Sequence, residues 1–450
     1  MAHPQPHWAI IGGGLLGMTL AHRLRSSGRE VSLFEAAPQL GGLASPWRIG
    51  DFTWDRHYHV TLLSDLALRA LLGELNLEAD IQWVKTRTGL YHGGRLYSIS
   101  NLREFLAFPG LDMVAKARLA LTIFYAAHYK QWSRLEDISV SDWLVRLSGK
   151  STFERFWLPL LRAKLGEGYR QASAAFIWAI IARLYAARRT GLKEEMFGYV
   201  PGGYARVLKR FAARLAGSGV AVQCSRPAER VEREADGGMR VRFKDGTTAV
   251  YDNVVVTAPG PLAARLCPQL NQDESARLRD VAYQGIICAS LVLKKPLAGF
   301  YVTNITDAGT PFTGIIEMSA LVSKEQFGGK TLVYLPKYAA PDDPAFALSD
   351  AEIERRFVPA LLRMFPHLSL DDIVCFKVSR VPYVLPVATL GYSKRVAPMV
   401  TSIPGLFTVN AAHILNGTLN VNETVQLANR AIGSLLDAEQ ALTAPLAVAG

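Results

Sequence analysis

The sequence predicts an α/β protein in which a Rossmann-like unit is interleaved with a second part of antiparallel sheet plus helices. Three observations carry this. Residues Trp8 to Glu35 read WAIIGGGLLGMTLAHRLRSSGREVSLFE: an apolar strand, a glycine turn, a helix and a second apolar strand ending in an acid. Residues Val220 to Pro259 fall into short β-branched runs broken at Asp236-Gly237-Gly238 and Asp245-Gly246, which are hairpin signals. Residues 283–400 return to strand-like alternation at 286–293, 313–318, 331–335 and 373–378.

The first of these has a physical reason at each position. Trp8 to Ile11 is apolar throughout, as a strand buried on both faces requires. Gly12 allows the sharp strand-to-helix turn, Gly14 lets backbone approach a pyrophosphate, and Gly17 lets the helix lie close on the sheet. The helix from Leu15 to Arg25 points free N–H groups and the positive end of its dipole at phosphate oxygens. Glu35, 18 residues beyond Gly17, is placed to accept hydrogen bonds from a ribose and to repel a 2′-phosphate. The ligand expected is a dinucleotide.

Gln39-Leu40-Gly41-Gly42-Leu43-Ala44-Ser45 forms a second glycine loop shortly after the ribose acid. Here the chain resembles the FAD-binding superfamily of flavin amine oxidases, protoporphyrinogen oxidases and phytoene-type desaturases, with Leu43 where an arginine often follows the glycine pair. The resemblance continues at Pro201-Gly202-Gly203-Tyr204, which opens a helix to about Ala216, and at the strands Val220–Gln223 and Ala228–Val231. It ends at Gly405 to Asn410, a strand expected to meet the flavin, and at a helix entered through Asn422-Glu423-Thr424 with Asn422 as N-cap. Such a helix start would stabilise the charge of a reduced flavin, although asparagines here also serve simply to shape a turn. The resemblance implies a GR2-type FAD-binding domain holding FAD non-covalently. The expected contacts are Gly12, Gly14, Leu15, Leu16, Gly17, Glu35, Ala36, Gly41, Gly42, Leu43, Val231, Ala258, Asn410, Asn422 and Thr424.

A chain of 450 residues suggests two or three domains. The reading assigns 1–100, 195–275 and 400–440 to a discontinuous FAD domain, 101–194 to a helical insertion, and 276–399 to the substrate-domain sheet and helices. Ser139 to Trp143 looks like a helix start, and Phe153 to Leu161 continues the insertion as in bacterial protoporphyrinogen oxidase-like proteins. Cys224, Cys267, Cys288 and Cys375 are scattered, and the nine histidines show no HExxH spacing, so no metal is expected. The start Met-Ala-His-Pro lacks a signal peptide's basic region, and no uncharged run reaches the ~18–20 residues that span a bilayer. A cytoplasmic protein is expected, peripheral on the inner face of a membrane at most. The net charge of +11 comes with no nucleic-acid motif, so no nucleic acid is expected and an anionic membrane surface fits better. Two segments, Phe105 to Trp132 and Ala172 to Arg189, read as helices apolar nearly all round. Interfacial anchor or substrate tunnel, and buried core, are both open readings of them.

The chemistry expected is removal of hydride from a hydrophobic small molecule, with electrons passing to oxygen, a quinone or another acceptor, since no second glycine turn for a nicotinamide is found. The block Trp54 to His59 should emerge beside the flavin. Arg56, His57 and His59 are the catalytic candidates, because histidine titrates near neutrality; a structural cluster is the competing reading. Lys164, Tyr301 and Glu317 are weaker candidates. Two alternatives stand beside an oxidase or desaturase: a redox-neutral flavoprotein like UDP-galactopyranose mutase, and a non-catalytic FAD-binding partner protein.

Overall fold

The computed structural model describes residues 5–188 and 196–443, and a five-stranded parallel sheet organises it. The strand order is Ala221–Gln223, Glu30–Phe34, His7–Ile11, Asn253–Val256 and Leu406–Thr408. Four of these five strands are almost wholly buried, which accounts for their unbroken apolar character. The helices Leu15–Ser26, Gly203–Gly217 and Val421–Thr443 cover one face. Against the other lies the antiparallel sheet Ala228–Arg233, Met239–Phe243 and Thr248–Tyr251, whose two turns are those expected at Gly237 and Gly246.

Backbone proximity sets how the first helix sits. A Cβ at Gly17 would overlap the Gly12 carbonyl oxygen and lie 3.3 Å from the Ile10 side chain, so only glycine lets the helix reach the strand. The last helix is tied to the first strand by Trp8. Its indole stacks on Phe407 with ring centroids 5.2 Å apart and donates to Glu439 at 2.7 Å, and Arg29 neutralises that buried carboxylate at 2.6 Å.

The second sheet has seven strands in the order Ile373–Pro386, Tyr283–Leu293, Thr331–Ala339, Gly314–Glu317, Val302–Ile305, Thr88–His92 and Arg95–Ser98. The hairpin Thr88–Ser98 thus joins this sheet although it lies within the first hundred residues. Helix Asp350–Met364, with a capping box between Ser349 and Glu352, covers one face. The other face carries Ile286, Cys288 and Tyr334, which pack with Trp54 of the hairpin Pro46–Asp55.

The helical part between the sheets differs from expectation. The segment Phe105 to Trp132 is two helices, Leu102–Ala107 and Met113–His128, separated where Pro109-Gly110 interrupts the pattern. Asn101 and Asp112 cap their starts at 3.1 and 2.8 Å, and the Lys116 ammonium donates to the Leu106 carbonyl at 2.6 Å. Ser139 caps Val140–Ser148 as read. The second apolar segment is helix Ala174–Arg188; Arg189 lies outside the described residues. Among the described residues no helix is long and apolar enough to cross a membrane, and no group of side chains is arranged to hold a metal ion.

Two glycines give opposite expectations. Gly17→Ala should cost about 1–3 kcal/mol by overpacking. Gly433→Ala, in a helix with nothing within 4 Å of its Cβ position, should be neutral or add up to about 1 kcal/mol. Urea unfolding of the two variants checks both signs.

Candidate active site

Parallel sheets bind ligands beyond the carboxyl ends of their strands, beside the point where the connections diverge. That edge collects residues from five stretches of the chain. At its centre Gly12 turns with φ +113°, and its Cβ position is filled by Thr257, whose hydroxyl bonds the Ile11 and Gly12 carbonyls at 3.0 and 3.2 Å. Thr257 was not anticipated, and the only trace of it in the sequence is its place directly after the Val254-Val255-Val256 strand. The helix Leu15–Ser26 starts at Gly14 with no side chain capping it, which leaves its first amides for a ligand. Leu15 and Leu16 point into the core, so they offer backbone N–H alone.

Glu35 is locked to the glycine turn. One carboxylate oxygen accepts from Gly13 N and the other from Ala37 N, both at 2.7 Å. The second glycine loop lies directly against the first: Gly41 N donates to Gly13 O at 2.8 Å, and a Cβ on Gly42 would come within 3.1 Å of Gly14 Cα. Ala36 and Gly42 are exposed along this groove. Val231 is buried opposite Val241, so its side chain serves the hairpin core, and Ala258 is half-buried after Thr257.

At the far edge Asn410 caps a short turn through its Oδ1 on Ala412 N at 3.0 Å. Its amide N–H donates to His413 Nδ1 at 3.1 Å, which places the His413 hydrogen on Nε2, 3.0 Å from the Ala397 carbonyl. Burial keeps His413 neutral by lowering its pKa. Asn410 and His413 thus form a capping box that was not anticipated from the sequence. Asn422, in contrast, does not cap its own helix. That helix begins at Val421 with Asn420 accepting from Glu423 N at 3.0 Å, while Asn422 Oδ1 accepts from Ala67 N and Leu68 N, both at 3.1 Å. It caps the neighbouring helix Leu66–Glu74, whose own flanking Asp65 is bonded to Leu62 N and Arg183 instead. The Thr424 hydroxyl is spent on the Asn420 carbonyl at 2.8 Å.

The block Asp55 to His59 bridges the glycine loops and the seven-stranded sheet. On the loop side His57 Nδ1 lies 3.0 Å from the Leu43 carbonyl, which only accepts, so Nδ1 carries the hydrogen and Nε2 presents a lone pair. Burial, together with the positive charge of His59 and Arg56, lowers the His57 pKa to about 4. On the sheet side Tyr334 donates to the Asp55 carbonyl at 2.6 Å, and the Tyr58 and Tyr338 hydroxyls meet at 2.9 Å. Burial raises the Asp55 carboxyl, against the pull of His59 and of Tyr204 N, which donates to it at 2.7 Å. His59 stands 3.8 Å from Asp55, an ion-pair distance beyond hydrogen bonding, with its ring 4.9 Å from Tyr204. The Arg56 guanidinium lies over Trp47 at 5.8 Å.

The weaker candidates divide. Lys164 lies 5.0 Å over the Tyr338 ring, within the tyrosine group. Tyr301 packs on Phe197 in the core. Glu317 is structural: its carboxylate accepts from Leu297, Ala298 and Gly299 N at 2.9 to 3.2 Å, which holds that turn and leaves it no catalytic duty.

This arrangement fits FAD on observations of the protein itself. The helix start is uncapped, Gly12 and Gly14 are partly open within a buried surround, and three buried polar atoms, Arg56 Nε, His57 Nε2 and Asn410 Nδ2, have no protein partner. The fold and cradle define an FAD-dependent oxidoreductase. The sequence model of the flavin containing amine oxidoreductase family matches residues 17–431, and the chain belongs to that family. It is 25% identical to the coproporphyrinogen III oxidase of Mycobacterium tuberculosis over 97% of this chain and 99% of that one. It is 26% identical to the zeta-carotene desaturase of Synechocystis over 40% of this chain and 41% of that one. Among solved structures it resembles a putative protoporphyrinogen oxidase from Exiguobacterium at 18% identity, with a TM-score of 0.75 covering 96% and 99% of the two chains, a likeness of fold.

His57 predicts a pH dependence. The unfolded chain protonates this histidine near 6.5, the folded one near 4, so the stability it contributes is present above pH 6.5 and lost as pH falls towards 4. The loss is about 3 kcal/mol. Urea midpoints between these pH values should show the slope flattened in His57→Gln; an unchanged slope would remove His57 as its source. Glu317→Gln should cost about 1–3 kcal/mol by leaving a turn amide unpaired while leaving FAD content unchanged, measured by absorbance after gel filtration.

Proposed function

We propose that the protein dehydrogenates a hydrophobic, ring-bearing or isoprenoid-like small molecule, using non-covalently held FAD and passing electrons to oxygen or a quinone. The observation that carries this reading is the sheet face against which the block 55–59 packs, with Tyr334 bonded to the Asp55 carbonyl and Tyr338 to the Tyr58 hydroxyl. Ile286, Cys288, Tyr334 and Tyr338 make it apolar and phenolic, Tyr58 meets it, and the Arg56, Lys164 and Lys377 cations lie on aromatic rings. Such a face suits an apolar substrate better than a diphosphate sugar. The names of the relatives agree, since they act on a porphyrinogen and a carotene.

Bound FAD supplies the two-electron acceptor. The chain supplies the rest: residues 1–100, apart from the hairpin Thr88–Ser98 that joins the other sheet, with 195–275 and 400–440, hold the cofactor, and Gly12, Gly14, Gly17, Glu35, Gly41, Gly42 and Asn410 line its cradle. The sheet of residues 276–399 roofs the substrate. His57 offers an unprotonated Nε2 to take the proton that a dehydrogenation releases alongside hydride. Arg56 and His59 orient the substrate. Four free cysteines and the net charge of +11 support a place at the reducing, cytoplasmic face of a membrane.

The test is anaerobic titration of the flavin spectrum with a porphyrinogen and with an apolar isoprenoid. Bleaching by one of them alone is expected. Turnover that appears only after prior reduction, with no net redox change, would instead assign a redox-neutral isomerisation. His57→Asn should lower kcat about 10²- to 10⁴-fold with KM little changed, and Glu35→Ala should weaken FAD at least about tenfold.

A further inference from the structure

Helix Met113–His128 buries Ala115, Leu119 and Ala126, yet it also turns large apolar side chains outward. Its inward positions include Lys116 and Thr122, whose polar atoms are satisfied by the Leu106 and Arg118 carbonyls at 2.6 and 2.8 Å. Its outward positions are Met113 (63% exposed), Val114 (65%), Leu121 (67%) and Phe124 (57%), with Tyr125 beside them. Helix Leu102–Ala107 adds Leu102 (69%) and Leu106, and helix Ala174–Arg188 adds Leu184. Fifteen large apolar side chains are exposed among the described residues, and eight of them lie on these three helices. The three helices adjoin. The Lys116 bond to Leu106 joins the first two helices, and His128 against Tyr185, with ring centroids 5.5 Å apart, joins the second to the third.

The charges on and beside the first two helices are mostly cationic, and the exposed Asp137, just beyond them, pairs with Lys394 at 3.3 Å. Arg103, Arg118, Lys130 and Arg134 are exposed on or beside the first two helices. Across residues 101–135 the only carboxylates are Glu104, held by Ser98 and Ser100, and Asp112, which caps the helix. A second copy meeting this face about a two-fold axis would set these cations against themselves. A lipid surface would not, because apolar side chains enter the acyl boundary while the cations meet anionic headgroups.

We propose that helices Leu102–Ala107, Met113–His128 and Ala174–Arg188 form the face that seats the protein, without spanning, on a bilayer rich in anionic lipid. This deepens the peripheral placement above by naming the surface. It rests on the helices' exterior and not on the redox chemistry, so vesicle binding and turnover fail separately.

The test is co-sedimentation of the FAD-loaded chain with phosphatidylcholine vesicles, with and without phosphatidylglycerol. The wild type should pellet with the anionic vesicles and be released by salt. Leu121→Ser with Phe124→Ser, and separately Arg103→Gln with Lys130→Gln and Arg134→Gln, should each lower the partition coefficient about tenfold or more. An unchanged flavin spectrum certifies the fold of each variant. Should a variant not fold, hydrogen exchange on the wild type decides, with vesicle-dependent protection expected in 102–128. A wild type that stays in the supernatant with both vesicles overturns the proposal. So does self-association in sedimentation velocity that Leu121→Ser abolishes, which would give the face to a second copy.

Discussion

The structure depends on backbone meeting backbone. At the carboxyl edge of the parallel sheet, Gly17 touches the Gly12 carbonyl, Gly13 bonds Gly41, and Gly42 lies over Gly14. A side chain at Gly17 would push the first helix off the first strand, and one at Gly42 would crowd Gly14 across the two loops. Once helix, strand and loops are in contact, Glu35 and Thr257 have only to lock the turn from either side, through two amides and two carbonyls. The groove left open is therefore lined by main chain, which suits the long, uniformly polar phosphate and ribityl stretches of a dinucleotide more than any set of flexible side chains would.

The block 55–59 is held from two sides. Its residues are tied in opposite directions: Asp55 to the sheet through Tyr334, His57 to the second glycine loop, and Tyr58 to the sheet through Tyr338. A segment anchored at both sides in a region closed to water holds a neutral imidazole without needing a charged neighbour to orient it.

Most of the cofactor half was legible because its constraints are local. A glycine that allows close approach, an uninterrupted apolar strand and an acid at a fixed distance all write themselves into adjacent positions, and the strands 7–11, 30–34 and 253–256 and both hairpins came out where read. What was not legible is made across the chain. Asn422 has the composition of an N-cap, but it caps a helix more than 350 residues away in sequence, because Asn420 already serves its own. Glu317 reads only as a weak catalytic candidate, and its use depends on three amides of the turn 297–299. The apolar segment 105–132 named a helix but not which side of it faces out, since side-chain sidedness is set by neighbours that periodicity cannot supply in an all-apolar run.

The clasp of Trp8 by Glu439 has a consequence for how the protein is made. The first strand, the indole at its start and the helix that covers it are separated by more than 400 residues, and the sheet's fifth strand begins only at Leu406. During synthesis the glycine turn therefore emerges long before the strand and helix that enclose it. Helices Leu15–Ser26 and Gly203–Gly217 cover part of the sheet's face early, but the part under Val421–Thr443 closes only when residues 406–439 have left the ribosome. Folding is governed by these long loops, and the interval before closure is when the chain is most exposed to aggregation and most in need of a chaperone.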